Sequence, residues 1–213
     1  MPNNKLKTVL RPLPLIAILR GVENSDAIQT VEALYNEGFR VFEIPLNSPN
    51  PFKSIEMIKS TFGDSLIIGA GTVLTRDEVI MVYNSGGQII VSPNTDNQVI
   101  NQTTSLGMNS IPGVSTPSEA FAALNAGATM LKVFPAEILP PVTIKAWRAV
   151  LKPEVWLLPV GGISIGKMAA YCKAGANGFG LGSSLFKPKF GRKRIARLAK
   201  IFVEHYHSIC SKE

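Results

Sequence analysis

The sequence predicts an α/β fold, a single-domain (β/α)8 TIM barrel over residues 1–213 that begins with a short N-terminal helix. Two observations predict this fold. Eight short apolar runs recur along the chain with helix-like segments between them, and a glycine precedes most of these runs. Units of roughly 25 residues match a small (β/α)8 barrel. The alternative is an open doubly wound sheet, but the first unit lacks the G-x-G-x-x-G signature of dinucleotide binding.

Each apolar run is a predicted strand. The runs are PLIAIL (14–19), RVFEIPL (40–46), LIIGAG (66–71), QIIVS (88–92), NSIPG (109–113), TMLKVF (129–134), WLLPV (156–160) and NGFGLG (177–182). Glycine is the expected residue just past a helix end, so each marker glycine separates a helix from the strand that follows. Strands that alternate with helices pair in parallel through right-handed crossovers.

Two boundary predictions concern the first helices. Residues 3–11 are predicted to form a short helix that closes the bottom of the barrel. Ser25 or Asp26 is predicted to cap the helix between the first two strands, because both residue types accept hydrogen bonds from free helix N–H groups. We find no linker and no domain boundary in the sequence.

The C-terminal segment 187–200, KPKFGRKRIARLAK, carries much of the formal net charge of +7. Here and just beyond, Ile195, Leu198, Phe202 and Tyr206 recur at helical spacing. This pattern predicts an amphipathic helix packed on the body of the protein with a solvated basic face. No aromatic-interleaved basic strand or zinc-finger spacing accompanies it, so we expect no nucleic-acid partner.

Composition narrows the class of protein further. Apolar residues make up 46% of the chain and charged residues 17%, which is typical of a folded domain rather than a disordered one. No apolar run has the roughly 18 residues that a membrane helix requires, so we expect no membrane partner. The N-terminus lacks a secretory cleavage pattern. Two cysteines, Cys172 and Cys210, match no metal-binding spacing and favour a reducing compartment, most simply the cytoplasm.

Active sites of (β/α)8 enzymes lie at the C-terminal ends of the strands, so polar residues at those ends are the candidates. These residues are Arg20, Asn47, Thr72, Ser92 and Asn94. Two loops, Gly161-Gly162 and Gly182-Ser183-Ser184, follow the seventh and eighth strands, a frequent position for a phosphate in such barrels. Ser164 is expected to cap the helix after the first loop rather than to bind a ligand.

Two charged residues, Glu43 and Lys132, interrupt apolar strands rather than following them. Burying a charge is costly unless it is paired or neutralised. A structural buried ion pair is one explanation. The other, which we favour, is catalytic: a buried lysine with a lowered pKa can act as a Schiff-base nucleophile, and a nearby carboxylate can move protons.

Several motifs in order along the chain resemble one known family. ILRG, EIPLNSP, IGAGTVL, the K-x-FP step of LKVFPAE, and GGIS followed by GLGSSLF are similar to the 2-keto-3-deoxy-6-phosphogluconate and -phosphogalactonate aldolases. The resemblance covers residues 14–186. It implies a class I aldolase, a carbon–carbon lyase of carbohydrate metabolism that releases pyruvate and glyceraldehyde 3-phosphate from a phosphorylated keto-deoxy sugar acid. It also implies a homotrimer without a metal or other cofactor.

The resemblance assigns roles to the candidate residues. Lys132 would form the Schiff base, and Glu43 would be the general acid and base. Arg20 and Thr72 would hold the pyruvate end of the substrate. The phosphate would be held by the loops at Gly161, Gly162, Gly182 and Ser183.

The motifs indicate two different substrate epimers. EIPLNSP resembles the galactonate type, and gluconate-type members usually carry Arg near Asn47 and Thr at the position of Val160. FPAE, which contains Glu137, instead resembles the gluconate type. We favour 2-keto-3-deoxy-6-phosphogalactonate, with the gluconate epimer as the alternative. The glycine loops alone would also fit another phosphate-binding barrel, of isomerase or thiamine phosphate synthase type, or a non-catalytic phosphosugar-binding barrel.

Overall fold

The computed structural model describes residues 5–210, in which parallel strands alternate with helices. The strands are β1 (Leu15–Ile18), β2 (Val41–Pro45), β3 (Ile67–Gly71), β4 (Ile89–Val91), β5 (Asn109–Ile111), β6 (Gly113–Val114), β7 (Leu131–Val133), β8 (Leu157–Pro159) and β9 (Phe179–Leu181). The helices are α1 (Lys5–Leu10), α2 (Asn24–Asn36), α3 (Pro51–Phe62), α4 (Arg76–Asn84), α5 (Asn97–Ser105), α6 (Pro117–Asn125), α7 (Pro141–Arg148), α8 (Ile165–Lys173) and α9 (Arg192–Cys210). Every predicted apolar run contains a strand.

The prediction of a closed eight-stranded barrel is wrong. The strands form a curled six-stranded parallel sheet in the order β5-β4-β3-β2-β1-β9 and a separate three-stranded parallel sheet in the order β6-β7-β8. The predicted fifth strand is split into β5 and β6 at Pro112, because proline has no N–H to donate to a ladder. At the opposite junction, a single bridge between Val160 and Gly180 connects the two sheets.

The inward faces of both sheets share one apolar cluster. Leu6 and Leu10 of α1 are almost fully buried in it, so this helix covers one end of the interior. The strands contribute Ile16, Val41, Ile67, Ile89, Val91, Ile111 and Leu158, and Met130, just before β7, also belongs to the cluster. Residues 3 and 4 of the predicted N-terminal helix lie outside the described part of the chain. The remaining helices pack on the outer faces of the sheets, where the larger apolar cluster lies.

Helix α2 begins earlier than predicted. Its N-cap is Glu23, which makes no side-chain capping bond, so the prediction of Ser25 or Asp26 as the cap is wrong. Asp26 instead lies in the first turn, where its carboxylate accepts a hydrogen bond of 2.7 Å from Gln29. An acidic side chain there also favours the positive end of the helix dipole.

The predicted amphipathic C-terminal helix is confirmed as α9. Ile195 and Phe202 are buried, Leu198 and Tyr206 are half-buried, and the basic residues between them face solvent. The helix packs against α2 and α8. Within residues 5–210, no helix is both long and apolar enough to cross a membrane.

Candidate active site

Glu43 in β2 and Lys132 in β7 line one small cavity at the centre of the fold. Alternate residues of a strand share a face, and both side chains lie on the inward face of their strands. Glu43 is only 3% exposed and Lys132 only 7% exposed. The rest of the lining is apolar or glycine: Ile16, Ile18, Val91, Ile111, Leu158, Val160 and Gly180. The ion pairs among the described residues do not include one between these two groups.

Burial controls the protonation of Glu43. It raises the pKa of the carboxyl from 4.5 to about 7, while the positive charges of Lys132 and Arg20 act in the opposite direction. Its Oε2 atom is buried without a hydrogen-bond partner. A carboxyl group with a pKa near neutrality can both accept and donate a proton at the pH of the cell.

Burial also lowers the pKa of Lys132, and the charge of Arg20 lowers it further, whereas Glu43 raises it. The Nζ atom lies 4.3 Å from the centre of the Phe134 ring, which favours the ammonium form through a cation–π contact. Because burial is the largest of these effects, a larger fraction of this amine is neutral at a given pH than for an exposed lysine. Only the neutral amine is a nucleophile.

Arg20 stands at the end of β1 and is held by two neighbouring strand ends. It donates a hydrogen bond of 2.6 Å to Oδ1 of Asn47 and one of 3.4 Å to Oγ1 of Thr72. Thr72 has a φ of 59°, a left-handed conformation that β-branched residues rarely adopt. Such strain is frequent at functional sites. The shorter of the two hydrogen bonds, the one to Asn47, positions Arg20 in this structure.

A cleft of about 950 Å³ adjoins the inner cavity and contains the two predicted glycine loops. Its lining includes Arg20 and four of the other predicted site residues: Gly161, Gly162, Gly182 and Ser183. The cleft and the cavity share Ile18, Val160 and Gly180, so the loops and the buried amine belong to one continuous site. Thr72 does not line the cleft, but its Oγ1 atom accepts a hydrogen bond from Arg20, which does.

The residue just before the helix that follows the Gly161-Gly162 loop agrees only in part with the prediction. Ser164 is the N-cap of α8, as predicted, but its side chain makes no capping hydrogen bond. It lines the cleft instead. The N-terminal end of α8, with its positive dipole and no side-chain cap, therefore faces the cleft, which suits an anion.

Sequence reasoning gave no role to three other groups at the site. Gly71 lies directly against the carboxylate of Glu43, and Glu137 lies against the Gly161-Gly162 loop. Lys187 and Lys189 line the cleft ahead of α9, although the sequence pattern assigned them to the basic helix. No periodicity marks these contacts, since each joins distant segments. Among residues 5–210, no cluster of three or more His, Cys, Asp or Glu is arranged to hold a metal ion.

The fold and this site define an α/β protein in which a buried lysine and a buried carboxyl group adjoin a glycine-lined cleft. The chain matches a family model described as KDPG and KHG aldolase over residues 6–201, and it belongs to that aldolase family. This membership confirms the resemblance found in the sequence motifs.

Two curated relatives and one solved structure refine the comparison. The chain is 49% identical over 196 residues to a probable 2-dehydro-3-deoxy-6-phosphogalactonate aldolase of Rhizobium meliloti (strain 1021), covering 92% of each chain. It is 43% identical over 194 residues to the Escherichia coli (strain K12) 2-dehydro-3-deoxy-6-phosphogalactonate aldolase, covering 91% of this chain and 95% of that one. A structure described as native KDPGal superimposes with a TM-score of 0.92 at 42% identity, covering 93% and 97% of the two chains.

Proposed function

We propose that this protein is a class I aldolase that cleaves 2-keto-3-deoxy-6-phosphogalactonate to pyruvate and glyceraldehyde 3-phosphate. The observation that carries the proposal is the buried pair of Lys132 and Glu43, which share one cavity without a direct ion pair. A purely structural role would favour a direct pair, because unpaired buried charges destabilise the fold. Two relatives bear the name of the galactonate aldolase, which favours this epimer.

In the proposed reaction, the neutral Nζ of Lys132 attacks the C2 carbonyl carbon of the substrate. Loss of water gives a protonated imine, which serves as the electron sink. The C4 hydroxyl then loses its proton to Glu43, directly or through a water molecule. The C3–C4 bond breaks, its electrons move into the imine to give an enamine, and glyceraldehyde 3-phosphate leaves.

Glu43 then completes the cycle. It returns its proton to C3 of the enamine, which becomes the methyl group of an imine of pyruvate, and hydrolysis releases pyruvate and the amine of Lys132. A pKa of about 7 suits this double role, because general catalysis is most effective when the pKa lies near the working pH. In the reverse direction, the same carboxylate would remove a proton from the methyl group of bound pyruvate.

The two ends of the substrate have separate partners in this proposal. Arg20 would pair with the carboxylate of the pyruvate end, with Thr72 at its side. The backbone N–H groups of the Gly161-Gly162 and Gly182-Ser183 loops would hold the phosphate. Glycine lets the backbone approach an anion closely, and the N-terminus of α8 adds a favourable dipole.

Borohydride trapping tests the proposal directly. Incubation of the protein with pyruvate and borohydride should reduce the imine to a stable secondary amine, which adds a pyruvate-derived mass to the peptide that contains Lys132. The Lys132→Met protein is the control and should take up no such mass. An adduct on another lysine, or none on the intact protein, would exclude Lys132 as the nucleophile.

The substrate epimer needs its own assay. The galactonate and gluconate forms differ only in configuration at C4, and FPAE resembles the gluconate type. We expect a higher kcat/KM for cleavage of the galactonate epimer when both are compared at equal enzyme concentration. A preference for the other epimer would assign the gluconate activity instead.

We further propose that the protein is a homotrimer and acts in the cytoplasm. Several large apolar side chains are exposed, among them Ile138 at 73% and Val142 at 68%, and a subunit interface would bury such residues. The cytoplasmic assignment rests on the charge of a phosphorylated sugar acid, which strongly disfavours its transfer through a bilayer. Sedimentation equilibrium would measure the oligomeric state.

A further inference from the structure

Glu137 is an acidic side chain located where an anion is expected to bind. It lines the same cleft as the Gly161-Gly162 loop. Its side chain packs against both glycines: a Cβ at Gly161 would lie 3.0 Å from its Cδ, and one at Gly162 would lie 2.8 Å from its Cγ. The Glu137 side chain therefore occupies the space on the Cβ side of both glycines in this structure.

The backbone around Glu137 is fixed on both sides. The Ala136 N–H donates a hydrogen bond of 2.8 Å to the carbonyl of Val160. The Tyr171 hydroxyl of α8 donates to the carbonyls of Ala136, at 2.8 Å, and Leu139, at 3.0 Å. Only the side chain of Glu137 is thus free to leave the loop, and it is exposed enough to rotate towards solvent.

The electrostatic setting makes this position unusual. The N-terminal turn of α8 contains no acidic residue, and the Ser164 side chain does not cap the N–H groups of that turn. Glu137 is the acidic residue that lines the cleft with this helix end. A carboxylate at a helix N-terminus is favourable by itself, but it repels a phosphate that carries a charge of about −1.5 to −2 at pH 7.

We propose that Glu137 competes with the phosphate of the substrate for the Gly161-Gly162 loop and so sets how strongly this site holds phosphorylated ligands. In this structure the carboxylate lies against the loop. When a phosphate binds, the Glu137 side chain rotates into solvent while its backbone stays in place. Part of the phosphate-binding energy is spent on this displacement, which limits retention of the phosphorylated product. The inference rests on the proposed function, because it takes the glycine loops as the phosphate site.

The test compares phosphate affinity in three proteins: wild type, Glu137→Gln and Glu204→Gln. In Glu137→Gln, the new amide keeps the shape of the side chain and removes its charge. Glu204 is the matched control, because its removal changes the net charge equally at an exposed position of α9 beside Lys200. Binding of inorganic phosphate and of glycerol 3-phosphate is measured by calorimetry at fixed ionic strength and pH.

We expect Glu137→Gln to bind both ligands roughly threefold to tenfold more tightly than wild type, the size expected for a partly screened charge interaction, while Glu204→Gln binds as wild type does. Equal affinity in wild type and Glu137→Gln, or weaker affinity in the variant, would overturn the inference. An equal gain in Glu204→Gln would also overturn it, because the effect would then come from net charge.

Pyruvate trapping separates this inference from the proposed function. Pyruvate has no phosphate, so Glu137→Gln should form the borohydride adduct on Lys132 at the wild-type rate, which also shows that the variant is folded. Absence of the Lys132 adduct in the wild-type protein would contradict the aldolase proposal. Normal trapping combined with unchanged phosphate affinity in Glu137→Gln would contradict only the role of Glu137.

Discussion

The carboxylate of Glu43 lies directly against the Cα atom of Gly71, so that any Cβ at position 71 would overlap it. The two residues are on adjacent parallel strands, β2 and β3, with their side-chain positions facing the same interior. Gly71 has a φ outside the left-handed region, so glycine is required there for space and not for backbone conformation. The missing side chain leaves room for the carboxylate beside β3, at the cavity that Lys132 also lines.

We predict that Gly71→Ala displaces the Glu43 carboxylate and slows cleavage by about a hundredfold, because an ångström of misplacement at a catalytic group can cost that much. The Lys132 imine should still form, so the variant should resemble Glu43→Gln in trapping pyruvate with little turnover. Gly191→Ala, ahead of α9 and outside the cleft lining, is the control, since a Cβ there meets no atom within 4 Å. Turnover of Gly71→Ala equal to that of the control would contradict this role for Gly71.

The raised pKa of Glu43 predicts a pH-dependent stability. The unfolded chain releases this proton near pH 4.5, whereas the folded protein keeps it until about pH 7. The folded state therefore binds more protons between these values, and stability falls as pH rises through this window. At about 1.4 kcal/mol per pKa unit, the loss amounts to about 3 kcal/mol.

Chemical denaturation at pH 4.5 and pH 8 measures this effect against Glu43→Gln, which has no proton to release. The free energy of unfolding of the wild type should fall by about 3 kcal/mol relative to the variant between these two pH values. Glu43 raises the pKa of Lys132, so the same comparison in a Lys132→Met background removes the coupled titration of the amine. Parallel stability curves would mean that the pKa of Glu43 is not raised by folding.

Arg20 should lower the pKa values of both buried groups, Glu43 and Lys132. Its positive charge lowers the pKa of Glu43 and of Lys132, so Arg20→Gln should raise both. Pyruvate trapping requires the neutral amine, and the midpoint of its pH dependence should therefore move upward. Arg76→Gln, which removes a guanidinium that contacts Gln102 between α4 and α5, is the control. A midpoint that stays in place would exclude this electrostatic coupling.

Lys187 and Lys189 form part of the cleft lining and should attract the anionic substrate. Replacing both by Gln should lower kcat/KM for the phosphorylated substrate by about threefold to tenfold at low salt, because clefts of one charge sign raise the encounter rate. The difference from wild type should shrink as added salt screens the charges. Lys200→Gln, on the exposed face of α9, is the control. A defect that is independent of salt would indicate a direct contact instead of steering.

The sequence pattern predicted where the strands and helices lie but not whether the strands close into one barrel. Each predicted apolar run contains a strand, because the alternation of glycine-ended helices with apolar runs is a local property of the chain. Whether the strands close into one sheet depends on hydrogen bonds between distant segments. Pro112 splits the fifth run, and the contact between Val160 and Gly180 is a single bridge, so two sheets form where one was predicted.

The sequence by itself determined the family, the order of strands and helices, and the unusual positions of Glu43 and Lys132, because a charge within an apolar strand is visible without coordinates. The tertiary structure alone decided which groups meet. It brought Gly71 against Glu43, Asn47 and Thr72 against Arg20, and Glu137 against the Gly161-Gly162 loop. These contacts join segments far apart in the chain, and their burial and distance set the pKa values and the charge of the cleft. Such quantities depend on the surroundings of each group in space, which spacing along the chain does not specify.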